Sequence, residues 1–235
     1  MEINPEDLLI TQPFRGFLSG SSGSGKSSFI LRFLQNRSQL CKESFDRVIY
    51  CSPNHFENLS DKDRQFFLDL RKSVPFVEIV SEIPDISLLQ KSESKCTLLI
   101  LEDLISEIIA SGSISQLYTS ISAHSNVSIL TTTQNYFEQG KYAKTILRNQ
   151  TFQVLFNSRT DNYTITNVSR QLFPRNRDFL RNCFTWLNEH VSAHYKRYLF
   201  IDCSNHTELP LTFPQVRTNM FKECNFFSPL FFKPK

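Results

Sequence analysis

Residues Gly20 to Ser27 read G-S-S-G-S-G-K-S and match the phosphate-loop pattern G-x-x-x-x-G-K-[S/T] at every fixed position. The chain has only six glycines, and Gly20, Gly23 and Gly25 all lie in this stretch. In a phosphate-binding loop, successive backbone N–H groups surround a phosphate, the lysine reaches the β and γ phosphates, and the hydroxyl binds Mg²⁺. The alternative interpretation is a flexible Gly/Ser linker.

The flanking residues favour the phosphate-binding interpretation. An apolar run that includes Phe14, Phe17 and Leu18 precedes the loop, and apolar residues at helical spacing from Phe29 to Leu34 follow it. Strand, glycine-rich loop and helix are the context that the motif requires. We therefore expect ATP to be bound by Gly20, Ser21, Ser22, Gly23, Ser24, Gly25, Lys26, Ser27 and Ser28, with Ser27 also a ligand of Mg²⁺.

Two acidic residues follow the most apolar strand of the chain. Four aliphatic residues, 98–101, lead directly into Glu102 and Asp103. A nucleotide-hydrolysing site can use one carboxylate to hold the metal and the other to polarise the attacking water. We expect Glu102 to hold the metal and Asp103 to activate water, and solvated acids at the end of a surface strand are the alternative.

The spacing between the loop and the acids leaves room for an intervening strand and is typical of the additional-strand ATPases. The next strand is expected at 127–135, ends in Gln134 and Asn135, and should lie beside the loop strand. A polar residue at its end can contact the γ-phosphate or its water. We prefer Gln134 over Asn135 for this role.

The remaining pattern alternates strands with helices, which predicts a mostly parallel sheet covered by helices on both faces. Further strands are expected at 47–53, 75–83, 96–104, 151–158 and 195–203, and helices at 61–72 and 178–192. Helix is also expected after residue 104 to about Ser122, weakened near Ser111 and Gly112. The tail after residue 204 is expected to be irregular.

Composition excludes several classes of protein. No run of 18 apolar residues could form a transmembrane helix, and the N-terminus has no basic region typical of a secretory signal. Six scattered cysteines without a C-x-x-C pair indicate a reducing compartment rather than a disulfide framework or a zinc site.

Charge is distributed unevenly along the chain. Residues 1–115 carry 12 Lys/Arg and 16 Asp/Glu, whereas residues 116–235 carry 14 and 7. A basic half is compatible with a surface that faces a polyanion, or with an ordinary solvated basic face.

Several stretches together resemble the viral DNA-packaging ATPases of the FtsK–HerA superfamily, of the type found in poxviruses and in Maverick/Polinton elements. They are LSGSSGSGKSSFI, LLILEDL, the segment 123–161 with TQNYFEQGK, and YLFIDCSN…VRTNMF, and the resemblance covers about residues 14–221. It implies a ring-forming motor that uses Mg-ATP to move double-stranded DNA, without sequence preference, into a capsid. It also implies a location in the host cytoplasm or nucleus, association with the virion, and contact with capsid vertex proteins.

The chain departs from the family pattern at two places. The family usually closes the acidic strand with two aspartates, whereas here Glu102 precedes Asp103. It also tends to have Pro-Arg-Asp after the 151–158 strand, whereas here Arg159 and Asp161 are separated by one residue. Arg159 is our candidate for an arginine that reaches the nucleotide of a neighbouring subunit. Arg148 is the rival, and a surface ion pair between Arg159 and Asp161 is the alternative.

We thus predict an N-terminal extension (1–13), an α/β P-loop NTPase domain of the additional-strand, RecA-like type (14–204) and a C-terminal tail (205–235). The predicted catalytic residues are Glu102, Asp103, Gln134 and Arg159, and the predicted metal-binding residues are Ser27 and Glu102. Two other functions stay open: a nucleotide or polynucleotide kinase, and a nucleotide-regulated assembly protein that does not hydrolyse ATP.

Overall fold

Strands in a single sheet form the centre of the protein. The computed structural model describes residues 9–53, 61–90, 96–157, 162–192, 197–204, 214–218, 220 and 226–227. The strands within these ranges are β1 (Arg15–Ser19), β2 (Arg47–Cys51), β3 (Val77–Val80), β4 (Thr97–Leu101), β5 (Val127–Thr133), β6 (Phe152–Phe156), β7 (Tyr198–Asp202), β8 (Gln215–Arg217) and β9 (Phe226–Phe227). Their order across the sheet is β3-β2-β4-β5-β1-β6-β7-β8-β9.

Helices connect most of these strands. They are α1 (Lys26–Gln35), α2 (Arg37–Leu40), α3 (Asp61–Ser73), α4 (Ile86–Gln90), α5 (Ile105–Ala110), α6 (Gly112–Gln116), α7 (Ser122–His124), α8 (Ala143–Arg148), α9 (Asn162–Leu172) and α10 (Phe179–His190). A π-helical turn, Leu117–Ile121, joins α6 to α7.

The helices cover both faces of the sheet, so the central strands are buried on both sides. Apolar residues of α1, α2 and α3 form one cluster with alternate strand residues such as Leu18, Leu98 and Leu130. The intervening strand residues pack on the opposite face against α5, the π-helical turn, α8, α9 and α10. Every residue of β4, β5 and β6 is buried, as expected for strands covered on both faces.

The predicted fold class is confirmed. Strands β1 to β6 pair in parallel, and β5 lies between β1 and β4 as the additional strand. The expected break near Ser111 is also present: α5 ends at Ala110, and the Ser111 hydroxyl accepts a hydrogen bond from the N–H of Ile114 at the start of α6.

One element was not predicted, and one expectation needs correction. Helix α9 was not predicted, although Ile165 and Val168 are buried at helical spacing and the helix packs against α10. The expectation of an irregular tail is wrong at 215–217 and 226–227, which extend the sheet as antiparallel strands β8 and β9. The domain boundaries stay a prediction.

Two further features concern the part of the chain that the structure describes. It contains no helix long and apolar enough to cross a membrane. Its cysteines, Cys41, Cys51, Cys96, Cys183 and Cys203, are free thiols.

Gly16 in β1 provides a test of core packing. A Cβ atom at this position would meet the ring of Phe152 and lie 2.8 Å from Leu130 Cδ1. The ring of Phe152 has little room to move because it stacks on Phe200 at 5.0 Å. We expect Gly16→Ala to lower the free energy of unfolding by about 1–3 kcal/mol, measured by urea denaturation.

A double variant tests whether overpacking against Phe152 is the cause. If the clash with Phe152 is the cause, Gly16→Ala and Phe152→Leu together should destabilise the protein by less than the sum of the two single changes. Additive effects would contradict the overpacking explanation.

Candidate nucleotide-binding site

The glycine-rich loop occupies the carboxyl edge of the sheet, between β1 and α1. Gly20 donates its N–H to the carbonyl of Thr133 at 3.2 Å, which ties the start of the loop to the end of β5. Gly23 (φ 74°) and Gly25 (φ 111°) both have left-handed backbone conformations, which L side chains rarely adopt. The sequence places glycine where the loop conformation requires it.

The first turn of α1 faces this loop. Gly25 is the N-cap residue and makes no side-chain cap, so no side chain covers the first N–H groups of the helix. Such N–H groups, together with the positive end of the helix dipole, form a binding site for a phosphate.

Lys26 lies inside the loop. Its Nζ donates hydrogen bonds to the carbonyl oxygens of Gly20 (2.6 Å) and Ser21 (3.2 Å), and the residue is 8% exposed. The side chain of Lys26 is covered because the loop wraps around it. Burial lowers the pKa of Lys26, and the nearby carboxylates of Asp103 and Glu102 act in the opposite direction.

The two acids follow β4 at the same edge. Glu102 Oε1 accepts a hydrogen bond from Ser27 Oγ at 3.0 Å, across 75 residues of sequence. Burial raises the pKa of Glu102, while hydrogen bonds from Tyr50, Ser27 and Ser52 act in the opposite direction. The predicted metal-binding pair, Ser27 and Glu102, is therefore in direct contact.

Asp103 faces solvent beside the end of β5. Its φ of 53° is left-handed, and its N–H donates to Thr132 Oγ1 at 3.1 Å. Gln134 Nε2 lies 3.4 Å from Asp103 Oδ2, whereas Asn135 Oδ1 accepts the N–H of Phe137 within its own turn. Of the two polar residues, Gln134 is the one that reaches the acid, and its catalytic role stays a prediction.

Of the two arginine candidates, Arg148 lies within the described residues. Arg159 and its possible partner Asp161 lie outside the described residues. Arg148 is exposed at the end of α8, four residues before β6 begins. The chain between α8 and β6 lies at the start of β1, because the N–H of Thr151 donates to the carbonyl of Arg15. Arg148 therefore lies near the amino edge of the sheet, opposite the loop.

Sequence reasoning missed three residues of this site. Tyr50 and Ser52, at the end of β2, bind Glu102, and Thr132 in β5 binds Asp103. Ser52 lies near the end of the strand predicted at 47–53, and polar residues at the carboxyl ends of parallel strands are the signal for such a position. Tyr50 and Thr132 lie within buried strands and carry no such signal.

The donor set fits Mg²⁺ held together with a nucleotide. Ser27 Oγ and Glu102 Oε1 are hard oxygen donors of the kind Mg²⁺ prefers, and Mg²⁺ usually takes one or two carboxylates plus substrate phosphates. Within the described ranges, no group of three or more His, Cys, Asp or Glu could hold a metal by itself. We therefore expect metal binding here to depend on the phosphates of the nucleotide.

Comparison with known proteins identifies the family. The family model for Poxvirus A32 protein matches residues 4–206, and the chain belongs to this family. No curated protein matches the chain significantly.

Solved structures show the same fold. The chain is similar to the genome packaging NTPase B204 from Sulfolobus turreted icosahedral virus 2 in complex with AMP, at 14% identity and a TM-score of 0.54. The match covers 97% of this chain and 100% of that chain. The same protein in complex with ATP-gammaS matches at 13% identity and a TM-score of 0.53, with coverage of 97% and 100%. The fold is that of the P-loop NTPases.

The backbone of Asp103 gives a prediction about stability. A left-handed conformation costs an L residue about 1–2 kcal/mol, and glycine does not pay this cost. We expect Asp103→Gly to be more stable than Asp103→Ala by about 1 kcal/mol, measured by urea denaturation.

Glu107, an exposed residue of α5, is the matched control. There the order should reverse, because alanine stabilises a helix interior by about 1 kcal/mol relative to glycine. If the alanine variant is the more stable one at both positions, the backbone of Asp103 is not strained.

Proposed function

We propose that this chain is an ATP-hydrolysing motor that moves double-stranded DNA into a viral capsid. The observation that carries the proposal is the contact between Ser27 of the phosphate loop and Glu102 of the acidic strand, in a chain that belongs to the poxvirus A32 protein family. The structurally similar B204 is named a genome packaging NTPase, which agrees with the proposal.

The proposed roles follow from the position of each side chain. The loop N–H groups and Lys26 bind the phosphates, and Ser27 with Glu102 holds Mg²⁺, which neutralises phosphate charge when bound. Asp103 accepts a proton from the attacking water, and Gln134 orients that water. The exposure of Asp103, next to half-buried Glu102, supports this division, because a base must be open to the water that it activates.

The proposal includes a ring of identical subunits. Arg159 comes after β6 in the sequence, and β6 is the strand beside β1. We propose that Arg159 acts on the nucleotide of an adjacent subunit. Negative charge on the γ-phosphate oxygens is what such an arginine stabilises. Arg148 is less suited to contact the nucleotide of its own subunit, since it lies near the edge of the sheet opposite the phosphate loop. Capsid vertex proteins are further proposed partners, and the host cell and the virion are the proposed locations.

A basic stretch supports the DNA part of the proposal. Lys144 and Arg148 are exposed one helical turn apart on α8, and Lys141 is exposed in the turn before the helix. The sequence has no acidic residue from 139 to 157. Closely spaced cations without acids suit contacts to successive phosphates of a DNA backbone.

ATP turnover with and without duplex DNA tests the function. We expect DNA-stimulated release of phosphate by the wild type, and a loss of about 10²–10³ in kcat for Lys26→Ala, because a phosphate-facing charge is removed. Lys42→Ala, which removes an exposed lysine outside the loop, should behave as the wild type does.

Other outcomes point to the other functions. Unchanged turnover in folded Lys26→Ala protein would contradict the role of the loop. Phosphate transfer to a nucleoside or a DNA end would indicate a kinase, and nucleotide binding without turnover would indicate a regulated assembly protein.

The salt dependence of DNA binding tests the basic stretch. We expect weak, sequence-independent binding that falls steeply between 50 mM and 200 mM salt, measured by fluorescence anisotropy. Changing Lys141, Lys144 and Arg148 together to Gln should weaken binding and reduce the slope of log K against log salt by up to about 3.

A second triple variant is the control for net charge. Lys42, Arg64 and Arg71 are exposed cations in the acidic half of the chain, and changing them to Gln removes the same charge. An equal loss of binding in both triple variants would contradict a DNA-binding surface at α8.

A further inference from the structure

The carboxylate of Glu102 is held by hydroxyl groups from two sides. Ser27 donates to Oε1 at 3.0 Å, and Tyr50 donates to Oε2 at 2.7 Å. The hydroxyl of Ser52 makes a third hydrogen bond to the same carboxylate. The two oxygens therefore face different partners: Oε1 faces the phosphate loop and Oε2 faces the end of β2.

Tyr50 cannot turn away from this contact. It is 0% exposed, and its ring lies 5.7 Å from the rings of both Phe66 and Phe67 in α3. The backbone is fixed as well, because the N–H of Glu102 donates to the carbonyl of Cys51 at 2.9 Å. A packed ring and a fixed backbone leave the Tyr50 hydroxyl one stable position, against Oε2.

We propose that Tyr50 is a positioning residue for the metal. By occupying Oε2, its hydroxyl keeps the carboxylate oriented so that Oε1 lies beside Ser27, where Mg²⁺ and the nucleotide phosphates are expected. The inference rests on the proposed function, in that it needs Glu102 to be a metal-binding residue. Groups that orient a metal ligand through a hydrogen bond commonly contribute about 10–100-fold to metal affinity or activity.

A purely structural role is the competing explanation. A buried tyrosine hydroxyl needs a hydrogen-bond partner, and Glu102 could merely supply it. Loss of the hydroxyl would then change stability without changing the dependence of nucleotide binding on Mg²⁺. A binding measurement with and without the metal separates the two roles.

Tyr136 offers a matched control variant. It is 3% exposed, and its hydroxyl donates to Gln153 Oε1 at 2.9 Å on the opposite face of the sheet. Tyr50→Phe and Tyr136→Phe each remove one buried hydroxyl and one hydrogen bond to a side-chain oxygen. Only Tyr50→Phe removes a contact to Glu102.

The experiment measures binding of a fluorescent ATP analogue by the full chain, in EDTA and across a titration of MgCl₂. For Tyr50→Phe, we expect the Mg²⁺ concentration at half-maximal binding to rise about tenfold, while affinity in EDTA matches the wild type. Tyr136→Phe should match the wild type under both conditions. Glu102→Gln should bind the analogue with little response to Mg²⁺.

Each other outcome overturns a defined claim. If wild-type binding does not respond to Mg²⁺, or Glu102→Gln responds as the wild type does, the proposed metal site fails and the inference fails with it. If both behave as expected but Tyr50→Phe matches the wild type, the role of Tyr50 alone is overturned. Equal weakening with and without Mg²⁺ in Tyr50→Phe would assign a structural role and overturn positioning.

Discussion

The parallel register of β1, β5 and β4 is the constraint on which the site depends. Ser19 pairs with Thr133, and Leu101 pairs with Thr131, so the three strands end close to the same line. The residues that follow them are the phosphate loop, Gln134 and the acid pair. Because side chains alternate along a strand, a shift of one residue in either pairing would send each core side chain to the opposite face, against helices that do not fit it. Packing on both faces therefore fixes the position of the catalytic groups as well as the core.

The charged side chains of Lys26 and Glu102 are stabilised by hydrogen bonds to neighbouring groups of the protein. Lys26 is covered by its own loop and donates to two carbonyl oxygens, and Glu102 accepts hydrogen bonds from three hydroxyls. Burial of an ion is costly unless hydrogen bonds or an opposite charge compensate it. Hydrogen bonds of this kind offset part of the cost of burial and hold both groups near their proposed ligands. This agrees with catalysis by preorganised charges.

The site was more predictable from the sequence than the edge of the sheet. The loop and the acid pair are local patterns, and they meet because parallel strands end at a common edge, so Ser27 and Glu102 could be paired without coordinates. The contacts of Tyr50 and Thr132 with the acids could not be predicted, since they depend on which strands are neighbours and on the face of the sheet where each residue lies. Helix α9 was missed although its apolar spacing was visible. The short strands β8 and β9 were missed because they depend on pairing with β7 and on contacts such as Phe227 against Trp186, at 5.5 Å.

Adjacent acids acquire different environments through the backbone between them. Glu102 directly follows β4, and its side chain is directed to the hydroxyl groups of Ser27 and Tyr50. The left-handed φ of Asp103 turns the next side chain toward solvent and Gln134. The hydrogen bond from the Asp103 N–H to Thr132 Oγ1 stabilises this turn after the strand. One carboxylate is thereby protected and fixed, as a metal ligand requires, and the other is open to water, as a base requires.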